Sequence, residues 1–323
     1  MTARRPVARR GPGKHPGIRH KRAVEVVTFR FGRKFRGDMR HNCDRNPMAI
    51  HNIRRTNSAV WAIGLALLVG TAPISEAGGG RSNREGVAPI SADLCSDMKL
   101  HHVLNPGAVV GCERLRLVKF GFIGFDGQLH NDGEIVVMDA VADHVLQIFV
   151  TLRNRHFPIA KAKLMNNYDG NDDASMADNN TSAFNDRKVA GTSVLSLHAY
   201  GLAIDVNPIQ NPYVERSAGM LTVSPKAGAG YADRLNRLRK STQSGMAETV
   251  IDVFADHGFS IWGGHWRNAI DYQHFQVSRK MADQLARRSS AEAQALFDRQ
   301  VERYRTCRRA GLRSTVCARR DQI

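Results

Sequence analysis

The sequence predicts a mixed helix-and-strand domain, and three observations carry that prediction. From Leu100 to Val137, short apolar runs alternate with the turn signals Asn105-Pro-Gly107, Phe125-Asp-Gly127 and Asn131-Asp-Gly133, a pattern of strands and hairpins. Two segments, 139–152 and 246–257, instead carry apolar residues at helical spacing. Beyond Ser278 the pattern is helical and charged to about Tyr304, and a basic tail follows. With 323 residues, 42% of them hydrophobic, the chain is long enough for one large domain or two small ones.

The front of the chain is different in kind. The formal charge of +17 would suggest a polyanionic partner, but residues 1–47 alone hold 14 Lys and Arg against 3 Asp and Glu. What remains downstream is a mild surplus that needs no nucleic acid. From Met48 the chain reads as a secretory leader: Arg54-Arg55, the apolar run Ala59 to Val69, then small residues before a cut after Ala77. The run is shorter than the roughly 20 apolar residues of a membrane span, so no stable span is expected after cleavage. An uncleaved anchor is the competing reading. Met48 is the expected start, with residues 1–47 as upstream sequence; the alternative is a disordered basic arm that binds nucleic acid or anionic lipid. Residues 78–98 are expected to be a linker, opened by Gly78-Gly-Gly.

Cysteines fit an exported protein. Cys43 lies in the basic arm, and the mature chain keeps Cys95, Cys112, Cys307 and Cys317. Pairing by proximity gives Cys95–Cys112 and Cys307–Cys317, one of three possible connectivities. A zinc site made from these four is the weaker alternative, because no close CxxC pair occurs.

The elements follow in order. Asp139 is expected to cap a helix whose Ala142, Val145, Leu146, Phe149 and Leu152 share one face, ended by Phe157-Pro-Ile159. Residues 166–187 are polar and aperiodic and read as a long loop, functional or disordered. Gly201 to Asn207 alternates as a strand, with Ala203, Asp205 and Asn207 on one face. A second helix over 246–257 ends at Gly258, and two strands, Phe259 to Trp262 and His274 to Val277, flank the Gly263-Gly264 turn.

Two stretches carry chemistry: Ser196-Leu-His198-Ala-Tyr-Gly201-Leu-Ala203-Ile-Asp205, and Asp271-Tyr-Gln-His274-Phe275-Gln276. They offer two imidazoles and a carboxylate as ligands, plus a second carboxylate beside the last ligand. A catalytic zinc takes three protein ligands and leaves one position open. His198 and Asp205 are too far apart for adjacent turns of one helix. They converge if Gly201 makes a turn and Asp205 projects from the strand that follows, with His274 on a neighbouring strand. Asp271 would then serve as general base and later as acid, and Ser196 could orient a ligand. Each histidine taken alone is as well explained as a surface or hydrogen-bonded core residue, since the chain has thirteen.

Taken jointly, Ser196, His198, Gly201, Ala203, Asp205 and His274 fill the pattern Ser-x-His-x-x-Gly-x-Ala-x-Asp with a later acid-x-x-His. That pattern resembles the VanY-like D-alanyl-D-alanine carboxypeptidases, zinc peptidases of the Hedgehog/DD-peptidase fold. The likeness extends through Phe125-Asp-Gly127, Gly133-Glu134, Phe157-Pro-Ile159, Phe184-Asn-Asp-Arg187, Ile204-Asp-Val-Asn-Pro208, Asn211-Pro-Tyr213 and Trp262-Gly-Gly-His-Trp266, over roughly 100–280. The resemblance implies an α+β peptidase domain over 99–280, a small antiparallel sheet flanked by helices, with a helical extension over 281–323. It also implies Zn²⁺ held by His198, Asp205 and His274, with Asp271 as base where the carboxypeptidases proper have Glu. Arg187 is the candidate to steady substrate or transition state, with a solvated loop arginine as the alternative. His265 stands where an acid is expected. Trp262 and Trp266 either line the cleft or pack the core, and Tyr200 either leans over the metal or fills space.

The resulting expectation is a monomeric, periplasmic or secreted zinc metallopeptidase that trims peptidoglycan stem peptides, D,D-carboxypeptidase-like. The alternatives are an endopeptidase cutting L-Ala-D-Glu or a cross-link, and a non-catalytic zinc-containing wall-binding module.

Overall fold

Three small antiparallel sheets and the helices packed around them make up the described part of the chain, residues 85–234 and 244–320 of a computed structural model. These residues belong to one unit, Glu76–Ile323. The basic arm and the leader-like segment lie outside the described residues. The architecture is α+β, as expected.

The first sheet has the order β1 (Gly86–Pro89), β2 (Leu115–Ile123), β3 (Leu129–Met138). From Gly86 onward, therefore, the segment expected to be a linker is structured: β1 is followed by helix α1 (Ala92–Leu100), capped by Ser91. A disulfide from Cys95 to Cys112 ties α1 to the turn before β2. The turn signal at Phe125-Asp-Gly127 makes the β2–β3 connection, with Gly127 at φ 77. The signal at Asn131–Gly133 does not make a turn and lies inside β3. An irregularity in the β2 pairing between Phe120 and Phe122 absorbs it, and the Phe120 ring packs where a Cβ on Gly133 would sit.

Helix α2 (Ala142–Asn154) covers this sheet with Val145, Ile148, Phe149 and Leu152, all fully buried, and Phe149 stacks on Phe120 with ring centroids 3.7 Å apart. Asp139 does not cap α2. It begins a 3-10 turn (Asp139–Val141), and its carboxylate is taken by Arg114 in a two-point contact of 2.7 and 3.0 Å. Such a planar pair outcompetes a single cap hydrogen bond.

Residues 166–187 are not a free loop. They hold a 3-10 turn (Met165–Tyr168) and helix α3 (Asp172–Ala177), and then Asn180 and Thr181 run fully buried beside the core. The polarity is consumed internally. The Asn180 side chain accepts from Lys163 N at 2.7 Å and donates to Lys163 O and Ser175 Oγ at 3.0 Å, replacing a missing strand partner.

The second sheet has the order β4 (Ala203–Asp205), β9 (His274–Gln276), β7 (Ile261–Trp262). The third joins a hairpin, β5 (Tyr213–Ser217) and β6 (Met220–Ser224), to β8 (Ile270–Asp271). Helix α4 (Ile251–Asp256) buries Val253 and Phe254, and Phe254 stacks on Phe275 of β9 at 3.9 Å.

The C-terminal helices are integral to the core. After α5 (Arg279–Ala286), helix α6 (Ser290–Arg309) starts with a Ser289–Glu292 capping box and buries Ala293, Phe297 and Val301 in the main cluster. Helix α7 (Ser314–Arg320) is tied to α6 by the disulfide Cys307–Cys317. Both disulfides expected from proximity are present. No helix of the described residues is long and apolar enough to cross a membrane.

One cluster in this core makes stability depend on pH. His257, after α4, accepts at Nδ1 from Arg305 of α6 at 3.2 Å, and His144 of α2 lies 3.4 Å from the same atom. His144 in turn meets Asp298 at 2.9 Å. Burial, with Arg305 and His144 adding repulsion, pushes the His257 imidazole down to about 4. The unfolded chain therefore binds a proton near its ordinary value of about 6.5 that the folded chain refuses. The contribution is fully present above about pH 6.5 and is lost as pH falls through about 4, up to about 3 kcal/mol. Urea midpoints should fall between pH 7 and pH 4.5, and His257→Gln should flatten that dependence.

Candidate metal centre

Four residues of backbone geometry bring the first two ligands together. Ser196 opens a 3-10 turn (Leu197–Tyr200), its Oγ accepting from His198 N at 3.2 Å. Gly201 ends the turn at φ 65, and β4 then carries the chain to Asp205. A side chain at 201 would be strained by that φ and would place a Cβ 2.6 Å from Met138 N. Gly201→Ala should cost about 3 kcal/mol and lower Tm by roughly 6–12 °C in a thermal melt.

The third ligand comes from strand register. Asp205 of β4 pairs directly with His274 of β9, so the two side chains stand side by side on one face. His274 Nδ1 lies 2.9 Å from Asp205 Oδ1, His198 Nε2 lies 3.2 Å from Asp205 Oδ2, and the two imidazole nitrogens are 3.3 Å apart. One donor atom from each residue falls within 4.8 Å of the others, and all three residues are buried.

The outward nitrogens fix how the rings are protonated. His198 Nδ1 is 2.5 Å from the Ala183 carbonyl, which can only accept, so the proton sits there and Nε2 presents its lone pair inward. His274 Nε2 is 2.7 Å from Gln276 Oε1, which likewise leaves Nδ1 facing Asp205. Three electron-pair donors thus converge on one point with their partners engaged on the outside, the arrangement of metal-ligating histidines. The donor set fits a divalent cation: two imidazoles and a carboxylate suit zinc better than calcium or magnesium.

The electrostatics point the same way. Burial raises Asp205, but the two imidazoles outweigh it and hold the carboxyl far below its usual range. Burial lowers His274, yet Asp205 and then Asp271 overcome it and lift the imidazole to about 9. The pocket as a whole demands positive charge.

Asp271 stands beside this group on β8, which pairs with the hairpin through Tyr213↔Asp271. Burial and the Asp205 charge push its carboxyl up to about 6, against His274 and Gln273, which pull it down. Its Oδ1 is buried without a hydrogen-bond partner among the described residues. Gly263 makes room for it, because a Cβ there would overlap the Asp271 backbone.

The other candidates divide. Trp266 is at the site, its ring 5.4 Å from the His274 ring and partly exposed. Trp262 is buried, donates from Nε1 to Tyr272 O at 2.7 Å and packs near Phe275. Tyr200 is also buried; its hydroxyl donates to Asp283 of α5 at 3.2 Å, with Arg279 lying over its ring. His265 packs edge-on against Trp262. Arg187 is ion-paired with Asp172 of α3, and its Nη1 lies 3.4 Å from Lys188 O. Among the described contacts, none joins Arg187 to His198, Asp205 or His274.

Two functional groups escaped the sequence reading. Gln276 is two residues beyond His274 and so on the same strand face, a signal the period of two could have supplied. The Ala183 carbonyl carries no signal at all, since any residue has one.

Comparison with known proteins matches residues 190–277 to a family described as D-alanyl-D-alanine carboxypeptidase. The matched span contains Ser196, all three converging ligands and Asp271, and it begins after Arg187. The resemblance drawn from the motifs is borne out over those residues, which carry a peptidase-family segment. No curated protein and no solved structure matches the chain.

Proposed function

We propose that this chain is a zinc-dependent peptidase of the Hedgehog/DD-peptidase fold that hydrolyses peptidoglycan stem peptides, acting as a D,D-carboxypeptidase. The observation that carries this reading is the convergence of His198 Nε2, Asp205 and His274 Nδ1 on one point, with the Asp271 carboxylate, its Oδ1 buried without a hydrogen-bond partner among the described residues, beside them. When bound, zinc supplies Lewis acidity toward the scissile carbonyl and its attacking water. The protein's own work is done around it. His198 and His274 are held in their ligating tautomers by Ala183 O and Gln276. Asp271 takes the proton of the attacking water and returns it to the leaving amine; burial keeps its carboxyl weakly acidic enough to do both.

For Arg187 we propose the role of steadying the developing oxyanion, with Asp172 holding the guanidinium at its Nε edge. Arg187→Ala should lower kcat/KM by about 10–100-fold and leave zinc content unchanged. The two disulfides support an oxidising compartment, periplasmic or extracellular.

The test is digestion of purified muropeptides with products identified by mass. Chelator-sensitive release of a C-terminal D-alanine is expected. Cleavage within the stem would reassign the enzyme as an endopeptidase, and no product from active-site-intact, zinc-loaded protein would refute the peptidase reading.

A further inference from the structure

Beside the metal centre lies a cavity of about 340 Å³ whose far wall is not part of the matched family segment. One side is formed by Phe259, Trp262 and Trp266, and the other by Thr315, Ala318 and Arg319 of α7. Trp266 belongs to both places, because its ring also lies 5.4 Å from that of His274. The cavity therefore continues the proposed active site by one ring's width.

Its outer wall is held in position. The disulfide Cys307–Cys317 fixes α7 to α6, and Cys317 and Ala318 pack with Tyr304 and Ala255 of α4. Ser314 Oγ and the Tyr304 hydroxyl lie 2.6 Å apart. Its charge is one-sided. Among the described residues no acidic side chain lines the cavity, whereas Arg319 and His265 both do. Arg319 donates from Nε to Thr315 O of its own helix at 3.2 Å, and the side chain is exposed. An aromatic wall facing a guanidinium that has no acidic partner among the described residues suits a ligand that is partly apolar and anionic.

We propose that this cavity is a substrate subsite that takes an acidic peptide segment, the part of the stem N-terminal to the scissile bond, with its carboxylate directed to Arg319. The assignment rests on the peptidase reading for what occupies the neighbouring centre. Because α7 lies outside the matched segment, the family match does not itself supply this preference.

The test is direct binding to chelator-stripped full-length protein, followed by tryptophan fluorescence, so that it needs no turnover. The probes are the peptide L-Ala-D-Glu-L-Lys-D-Ala-D-Ala and its D-Gln counterpart. The acidic peptide should bind about tenfold more tightly. Arg319→Gln, an exposed change, should erase that difference, and Thr315→Trp should fill the cavity and abolish binding of both. Equal binding of the two peptides, or a preference that survives Arg319→Gln, overturns the proposal. Binding of a wall disaccharide that Thr315→Trp abolishes, in place of either peptide, also overturns it. The two readings fail separately. Chelator-sensitive cleavage without charge-selective binding removes the subsite alone, and charge-selective binding without cleavage removes the peptidase reading alone.

Discussion

Asp271→Asn should lose about 10²–10⁴-fold in kcat on stem peptides while binding zinc as the wild type does. The substitution keeps the shape of the side chain and removes its capacity to carry a proton. Asp271 is not one of the three converging donors, so metal content should not change. The split between intact metal binding and lost turnover separates a base from a ligand. Comparable activity in the two proteins would show that the buried carboxylate has no chemical role. Loss of zinc together with activity would place Asp271 among the ligands.

Removal of zinc should abolish hydrolysis and also loosen the fold. The three candidate ligands lie on β4, β9 and the turn before β4, so an ion held by them would link elements that otherwise meet through a three-residue strand pairing. With free zinc a thousandfold above its Kd, the ion contributes about 4 kcal/mol. Chelation should therefore lower Tm by roughly 10 °C, and zinc should restore both Tm and activity. Calorimetry with and without chelator measures this, alongside a muropeptide assay on the same samples. An unchanged Tm would mean that the three side chains do not hold the metal.

Much of the site was legible because its spacing is local. From Ser196 to Asp205, one turn, one glycine and one short strand lie within ten residues, and the reading of a turn at Gly201 followed by a strand matches the structure. The facing of Asp205 and His274 was not legible, since strand register between residues 69 apart in sequence depends on the packing of the whole second sheet. The family pattern supplied that pairing instead. Residues 166–187 misled for a related reason: asparagine usually marks loops, but Asn180 here is buried and bonded as a strand would be. The β5–β6 hairpin was visible in principle. Tyr213 to Ser217 and Met220 to Ser224 flank Ala218-Gly219, with both central residues at positive φ, and that hairpin carries the strand presenting Asp271. The helix beyond Ser278 reads as a packing element with a charged outer face, and Phe297 and Val301 are indeed core residues.

Titration of chelator-stripped protein with zinc, followed by isothermal calorimetry, tests the central claim most directly. One ion per chain should bind, and His198→Ala, Asp205→Asn and His274→Ala should each remove that binding while retaining the helical circular dichroism of the wild type. Stoichiometric binding that persists in any two of these variants would contradict the metal centre, and with it the hydrolytic account.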